Sequence, residues 1–158
     1  ENRGISGDTT RNLKCRWQQD CIDLKPNIVS IMIGINDIWR QFAPEPQIRK
    51  MAVPVEEYKQ NLRWMLAEAK EKTSCRFILM EPFYFCDDPD DPLQYALPEF
   101  LNVIQKLADD FDAILVPTEQ NYKAIKENIP ETRWAYDRVH PYEWAHCWIA
   151  KQWHKSVL

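Results

Sequence analysis

The sequence predicts an α/β protein built around a parallel sheet, and three observations carry that expectation. Short apolar, β-branched runs occur at 27–34 ("NIVSIMIG"), 75–82 ("CRFILMEP") and 113–117 ("AILVP"). Runs of this kind read as strands buried on both faces, as they are in parallel sheets. The segments between them carry apolar residues at helical spacing, and strands alternating with amphipathic helices favour crossover connections in a layered fold. The size fits as well: 158 residues, 45% hydrophobic and 28% charged, suit one globular domain with one core.

Each element has its own warrant. In 9–24, Leu13, Trp17, Cys21 and Leu24 recur near helical spacing, and Asp8 or Thr9 can cap the start. The strand 27–34 closes on Gly34. Gly4, Gly7 and Gly34 are the only glycines and all lie before position 35, so they are expected where other residues resist the backbone geometry. A helix over 54–72 follows from the stripe Val55, Tyr58, Leu62, Met65 and Ala69, with Pro54 suited to a first turn. After the strand 75–82, "DDPDDP" (87–92) reads as an acidic, proline-broken surface loop. It lacks the glycine and terminal glutamate of an EF-hand calcium loop. Leu101, Ile104, Ala108 and Phe111 predict a helix over 98–111. Beyond the strand 113–117 two helices are expected, the last running from Pro141 to Val157 with Trp144 and Trp148 on one face.

Bulk properties narrow the function classes. A net charge of −4 without a basic run argues against nucleic-acid binding. No apolar run reaches the ~20 residues that span a bilayer, and no signal peptide is evident. The five cysteines include no C-x-x-C pair and read as reduced thiols, three of them at apolar, buried positions. The expectation is a cytoplasmic protein, with secretion left open because the first residue is Glu1 and not Met. His146 and His154 fall in the last helix at spacings that match no usual zinc pattern, so no metal is expected.

Chemistry is concentrated in short stretches expected to converge on one edge of the sheet, since ligands in open α/β sheets bind beyond the carboxyl ends of the strands. In "YDRVHP" (136–141), Asp137 can accept from one nitrogen of His140, fixing its tautomer and leaving the other nitrogen as a base. In "GIND" (34–37), the Asn36 amide can donate to an oxyanion, and in "NRGISGDTT" (2–10) the N–H of Gly7 can do the same. Taken singly, each stretch also fits a plain turn. Asp37, Trp39, Phe83 and Trp134 are candidates to line a substrate site, since loop aromatics suit the face of a sugar ring.

Together these stretches resemble the SGNH (GDSL) hydrolase family. "ISGDT" matches its glycine block with Gly7, "GIND" its asparagine block with Asn36, and "DRVHP" its Asp-x-x-His block with Asp137 and His140. The three occur in the family's order across residues 2–141. The fourth block, the Gly-Asp-Ser that holds the nucleophile, occurs nowhere in the chain. The resemblance implies a three-layer α/β/α, flavodoxin-like fold in a single domain, 1–158, that lacks its first strand. It implies an ester hydrolase that needs no cofactor, with Asp137 and His140 catalytic and Gly7 and Asn36 as the oxyanion hole. "NRGISGDTT", "KPNIVSIMIGIND" and "ILMEPF" look most like bacterial esterases that deacetylate xylan, so an acetylated sugar is the expected substrate. Lysophospholipase or thioesterase activity, and a sugar-binding pseudoenzyme, stay open as alternatives, as does homo-oligomerisation.

Overall fold

The computed structural model describes all residues, Glu1–Leu158. Three parallel strands form one sheet in the order β1 (Ile28–Met32), β2 (Arg76–Met80), β3 (Ile114–Val116). Ile28 pairs with Arg76 at the start of the first ladder and Ile78 with Ile114 in the second. The middle strand explains the unbroken apolar pattern. Side chains alternate across a strand, so Phe77 and Leu79 enter one core while Ile78 and Met80 enter the other.

Two helical layers supply those cores. On one face lie α1 (Thr10–Cys15), α2 (Trp17–Asp20), α5 (Val55–Lys72) and α6 (Pro92–Phe111). Trp17, Tyr58, Leu62, Met65, Phe100 and Ile104 pack there against Ile31, Phe77 and Leu79. On the other face are α7 (Thr118–Lys123) and α8 (Glu143–Val157), whose Tyr122, Ala145 and Ile149 meet Ile78, Met80 and Val116. Two short helices, α3 (Ile35–Trp39) and α4 (Pro46–Arg49), follow β1. No helix is long and apolar enough to cross a membrane.

The differences from the sequence expectation have local causes. The helix expected over 9–24 breaks at Arg16 and Cys21 and ends in a 3-10 turn at Ile22–Leu24. The helix expected from 98 starts at Pro92, because Asp91 caps it through a bond from the Leu93 N–H at 2.9 Å. Pro98 then sits inside a helix whose apolar stripe, Leu93, Leu97, Phe100 and Ile104, continues through it. "GIND", for which a plain turn was the alternative, forms the start of α3. Cys21 and Cys86 are buried, Cys75 is half-buried, and Cys15 and Cys147 are exposed, all as free thiols.

β1 is paired on one edge only. The Asn27 carbonyl accepts the Arg76 N–H at 2.9 Å. In a parallel ladder, backbone groups of alternate residues address alternate neighbours. Residues 27, 29 and 31 therefore address β2, and Ile28, Ser30 and Met32 address the open side. A groove of about 690 Å³ runs along that side, between β1 and the N-terminal segment with α1 and α2.

Candidate active site

The groove ends at the carboxyl end of β1, where Gly7, Asn36 and His140 border it together. Three separate pieces of local structure bring them there.

The first is the loop that follows Trp134. Its base is closed by an antiparallel bridge between Ala135 and Pro141 and by the Tyr142 N–H on the Trp134 carbonyl at 2.9 Å. Within it, Asp137 Oδ1 accepts from the backbone N–H of Val139 (3.1 Å) and His140 (2.8 Å), and Oδ2 lies 2.7 Å from His140 Nδ1. A carboxylate acceptor fixes the proton on Nδ1 and leaves Nε2 free. Partial burial alone would raise the Asp137 pKa. The hydrogen bonds from the backbone and side chain of His140 and from Val139 outweigh it, and the group is held below the usual carboxylate range. Arg138, between the two, adopts φ 69°. Its side chain turns away to Asp91 Oδ2 (2.9 Å) and Glu131 Oε1 (3.2 Å), and its carbonyl accepts the Phe85 N–H at 3.0 Å.

The second piece is the turn from β1 into α3. Gly34 sits at φ 136°, and a Cβ there would come within 3.0 Å of Tyr58 Oη. The close approach lets the Tyr58 hydroxyl donate to the Ile33 carbonyl at 3.0 Å. Asn36 then falls in the first helical turn. Its Nδ2 donates to the Asp8 carbonyl (3.1 Å), and its Oδ1 accepts the Trp39 indole N–H (2.7 Å). One hydrogen of the amide remains free.

The third piece is the N-terminal segment. Gly7 adopts φ 83°, and its carbonyl is held by Arg40 Nη2 at 2.5 Å. Its N–H has no protein acceptor. Arg16 grips Asp8 Oδ2 through Nε and Nη2 (3.0 and 2.6 Å) and the Arg3 carbonyl through Nη1 (2.7 Å). Asp37 ties the second and third pieces together: its Oδ1 accepts from the Thr10 N–H (3.0 Å) and hydroxyl (2.5 Å).

The expected substrate-lining residues need correction. Asp37, Phe83 and Trp134 offer little or no surface to a ligand, being 0%, 8% and 0% exposed. Asp37 is a buried strut. Phe83 stacks on Phe85, and Phe85 stacks on Trp134 at 5.1 Å between ring centroids. The Trp134 N–H is satisfied by the Ile129 carbonyl at 3.2 Å. Trp39 is half-buried and its polar atom is given to Asn36. The exposed aromatics beside His140 are instead Tyr136, 70% exposed and stacked nearly parallel to the His140 ring at 5.8 Å, and Tyr142. Tyr136 precedes Asp137 directly, a signal legible in the sequence. The Arg138 network had none, because Asp91 is distant in the chain and Glu131, though near, lies beyond the bridge that closes the loop.

No hydroxyl bonds to His140, whose imidazole has Asp137 as its hydrogen-bond partner. Ser6 is exposed beside the groove, and Ser30 lies within β1, accepting from Trp153 Nε1 at 3.1 Å.

Comparison with known proteins agrees with this geometry. An acetylxylan esterase from Geobacillus stearothermophilus is 35% identical over 156 residues, 99% of this chain and 70% of that protein. Its solved structure superposes with a TM-score of 0.91 over 98% of this chain. Variants of that enzyme designated catalytic mutants replace a serine, an aspartate or a histidine, the latter two three positions apart like Asp137 and His140. A Parabacteroides merdae chain designated a GDSL-like lipase superposes at 0.88 with 33% identity, over 98% of this chain and 71% of that one. Residues 1–146 match the GDSL-like Lipase/Acylhydrolase family. With Gly7, Asn36, Asp137 and His140 gathered on one sheet end and the likeness spanning nearly every residue, the chain belongs to the GDSL-like lipase/acylhydrolase family.

Proposed function

We propose that this chain serves a carbohydrate O-acetylesterase that removes acetyl groups from xylan-type oligosaccharides, with the nucleophilic serine carried on a strand outside these 158 residues. The observation that carries the proposal is the groove along β1. Its floor offers the unpaired backbone groups of Ile28, Ser30 and Met32, and it ends at Gly7, Asn36 and His140. A parallel strand laid there would bring its last residue beside the base. The 35% identity to an acetylxylan esterase supports the acetyl group and the sugar, and exposed Tyr136 and Tyr142 give a surface on which a sugar ring can stack.

In the proposed reaction the serine Oγ attacks the acetyl carbonyl while His140 Nε2 takes its proton. Asp137 steadies the imidazolium through Nδ1–H. The oxyanion receives the Gly7 N–H and the free Asn36 amide hydrogen. His140 returns the proton to the leaving sugar hydroxyl, which breaks the ester bond. Water, deprotonated by His140, then attacks the acyl-serine and releases acetate.

The test is restoration. A strand ending in Gly-Asp-Ser, fused ahead of Glu1, should give acetate release from acetylated xylooligosaccharides and from a simple aryl acetate. Both activities should vanish with His140→Ala. A folded fusion that binds the sugar yet cleaves neither ester would replace the esterase with a sugar-binding pseudoenzyme. Cleavage of the aryl acetate alone would keep the mechanism and discard the sugar.

A further inference from the structure

We propose that Trp39 is a positioning residue that locks the Asn36 amide in its donating orientation, a role that rests on the esterase reading above. An asparagine amide can present either its oxygen or its nitrogen to a given neighbour, and only the nitrogen can serve an oxyanion. What selects between them here is the chemistry of the two partners. The Trp39 indole nitrogen is a donor and never an acceptor, so the atom 2.7 Å from it must be Oδ1. The Asp8 carbonyl is an acceptor and never a donor, so the atom 3.1 Å from it must be Nδ2. Both neighbours demand the same orientation. A flipped amide would set N–H against N–H at Trp39 and oxygen against oxygen at Asp8.

The sequence builds this lock within one helical turn. Residues three apart on a helix are neighbours, and a helical side chain leans back over the turn that precedes it. Trp39 at the end of α3 therefore reaches Asn36 at its beginning. The half-buried position of both residues shields the bond from competing water. Donation into Oδ1 also polarises the amide and strengthens its remaining N–H as a donor, because hydrogen bonds in series reinforce one another. Trp39 thus acts on the oxyanion through Asn36 and not by touching the substrate.

Two measurements test this, and the first needs no catalysis. In the 158-residue chain, the Trp39 indole proton, identified by its loss from the NMR spectrum of Trp39→Phe, should exchange slowly with solvent. It should stay protected in Asn36→Asp, which keeps an acceptor, and lose protection in Asn36→Ala. Equal exchange in the parent chain, Asn36→Asp and Asn36→Ala would overturn the lock, and since none of these three is changed at position 39, the result does not depend on how well Trp39→Phe folds. The second measurement uses the chain fused to the Gly-Asp-Ser strand. Trp39→Phe should lower kcat about three- to tenfold, the range for one lost neutral hydrogen bond, with KM unchanged. In an Asn36→Ala background the same change should have no further effect. A rise in KM, or an equal loss of kcat in both backgrounds, would make Trp39 a substrate contact or a packing residue. An inactive fusion with a protected indole proton would instead fault the esterase proposal and leave the lock standing.

Discussion

In the proposed reaction Asn36 and Asp137 have different roles, and their replacement should show it. In the restored enzyme Asn36→Ala should lower kcat by ~10²–10³ with little change in KM, since it removes a donor used chiefly in the transition state. Asp137→Asn should cost more, about 10⁴, because an amide in its place favours the wrong tautomer of His140. Asp37 makes a prediction about pH. Burial pushes its pKa up to about 6, against the opposing pull of the Thr10 hydroxyl and N–H. Its folded form holds a proton more tightly than its unfolded form, so it contributes stability that is present below about pH 4 and lost as pH rises through 6. Unfolding at pH 4 to 7 should show this loss, on the order of 2–3 kcal/mol, and Asp37→Asn should abolish its pH dependence whatever its own stability. The four residues of the proposed chemistry were legible because each sits in a short stretch whose residue types and spacing imply the geometry. Asp37, Phe83 and Trp134 were misread as ligand-facing for the opposite reason. Whether a loop aromatic or a carboxylate faces solvent depends on segments far away in the chain: Thr10 for Asp37, and Tyr122 and Trp148 for Trp134.

The loop between the bridge residues Ala135 and Pro141 behaves as an element in its own right. Its left-handed residue is an arginine, although glycine takes that conformation more readily. The network around the guanidinium offsets the strain. Asp91 Oδ2 accepts from Arg138 and from the Tyr84 hydroxyl, both at 2.9 Å, while its other oxygen caps α6. Replacing Arg138 by Gly, Ala and Val should therefore give destabilisation in that order in thermal unfolding. Val adds a branched Cβ at positive φ to the loss of both ion pairs, which together contribute roughly 1–2 kcal/mol. Equal effects for the three would show that the backbone conformation carries no strain. The same scale explains which elements the sequence disclosed. α5 and the three strands announce themselves by periodicity and by dense apolar runs. α1 and α2 share one stripe, Leu13, Trp17 and Cys21, so the break at Arg16 leaves no mark on the pattern. α3 is only five residues long, too short for any period to register.

At the scale of the molecule, the sheet has an unpaired edge on each side, and the two edges differ in length. The β3 edge is short, three residues, whereas β1 turns the backbone groups of Ile28, Ser30 and Met32 to the groove, with Ile28 46% and Met32 43% exposed. Ligation of a Gly-Asp-Ser strand there should raise the midpoint of thermal unfolding as well as restore chemistry, because it pairs that backbone and covers those side chains. A fusion with unchanged unfolding would place the added strand elsewhere. The same edge has a practical consequence for handling the protein. A row of unpaired amides flanked by apolar side chains is a template for any extended chain, including a neighbour's. Concentrated solutions of the 158-residue chain should scatter light increasingly with time, and Ile28→Lys or Met32→Lys should suppress the turbidity without altering the Asp137–His140 pair. The colloidal lifetime of this protein is then set by a single strand and by what is available in solution to lie against it.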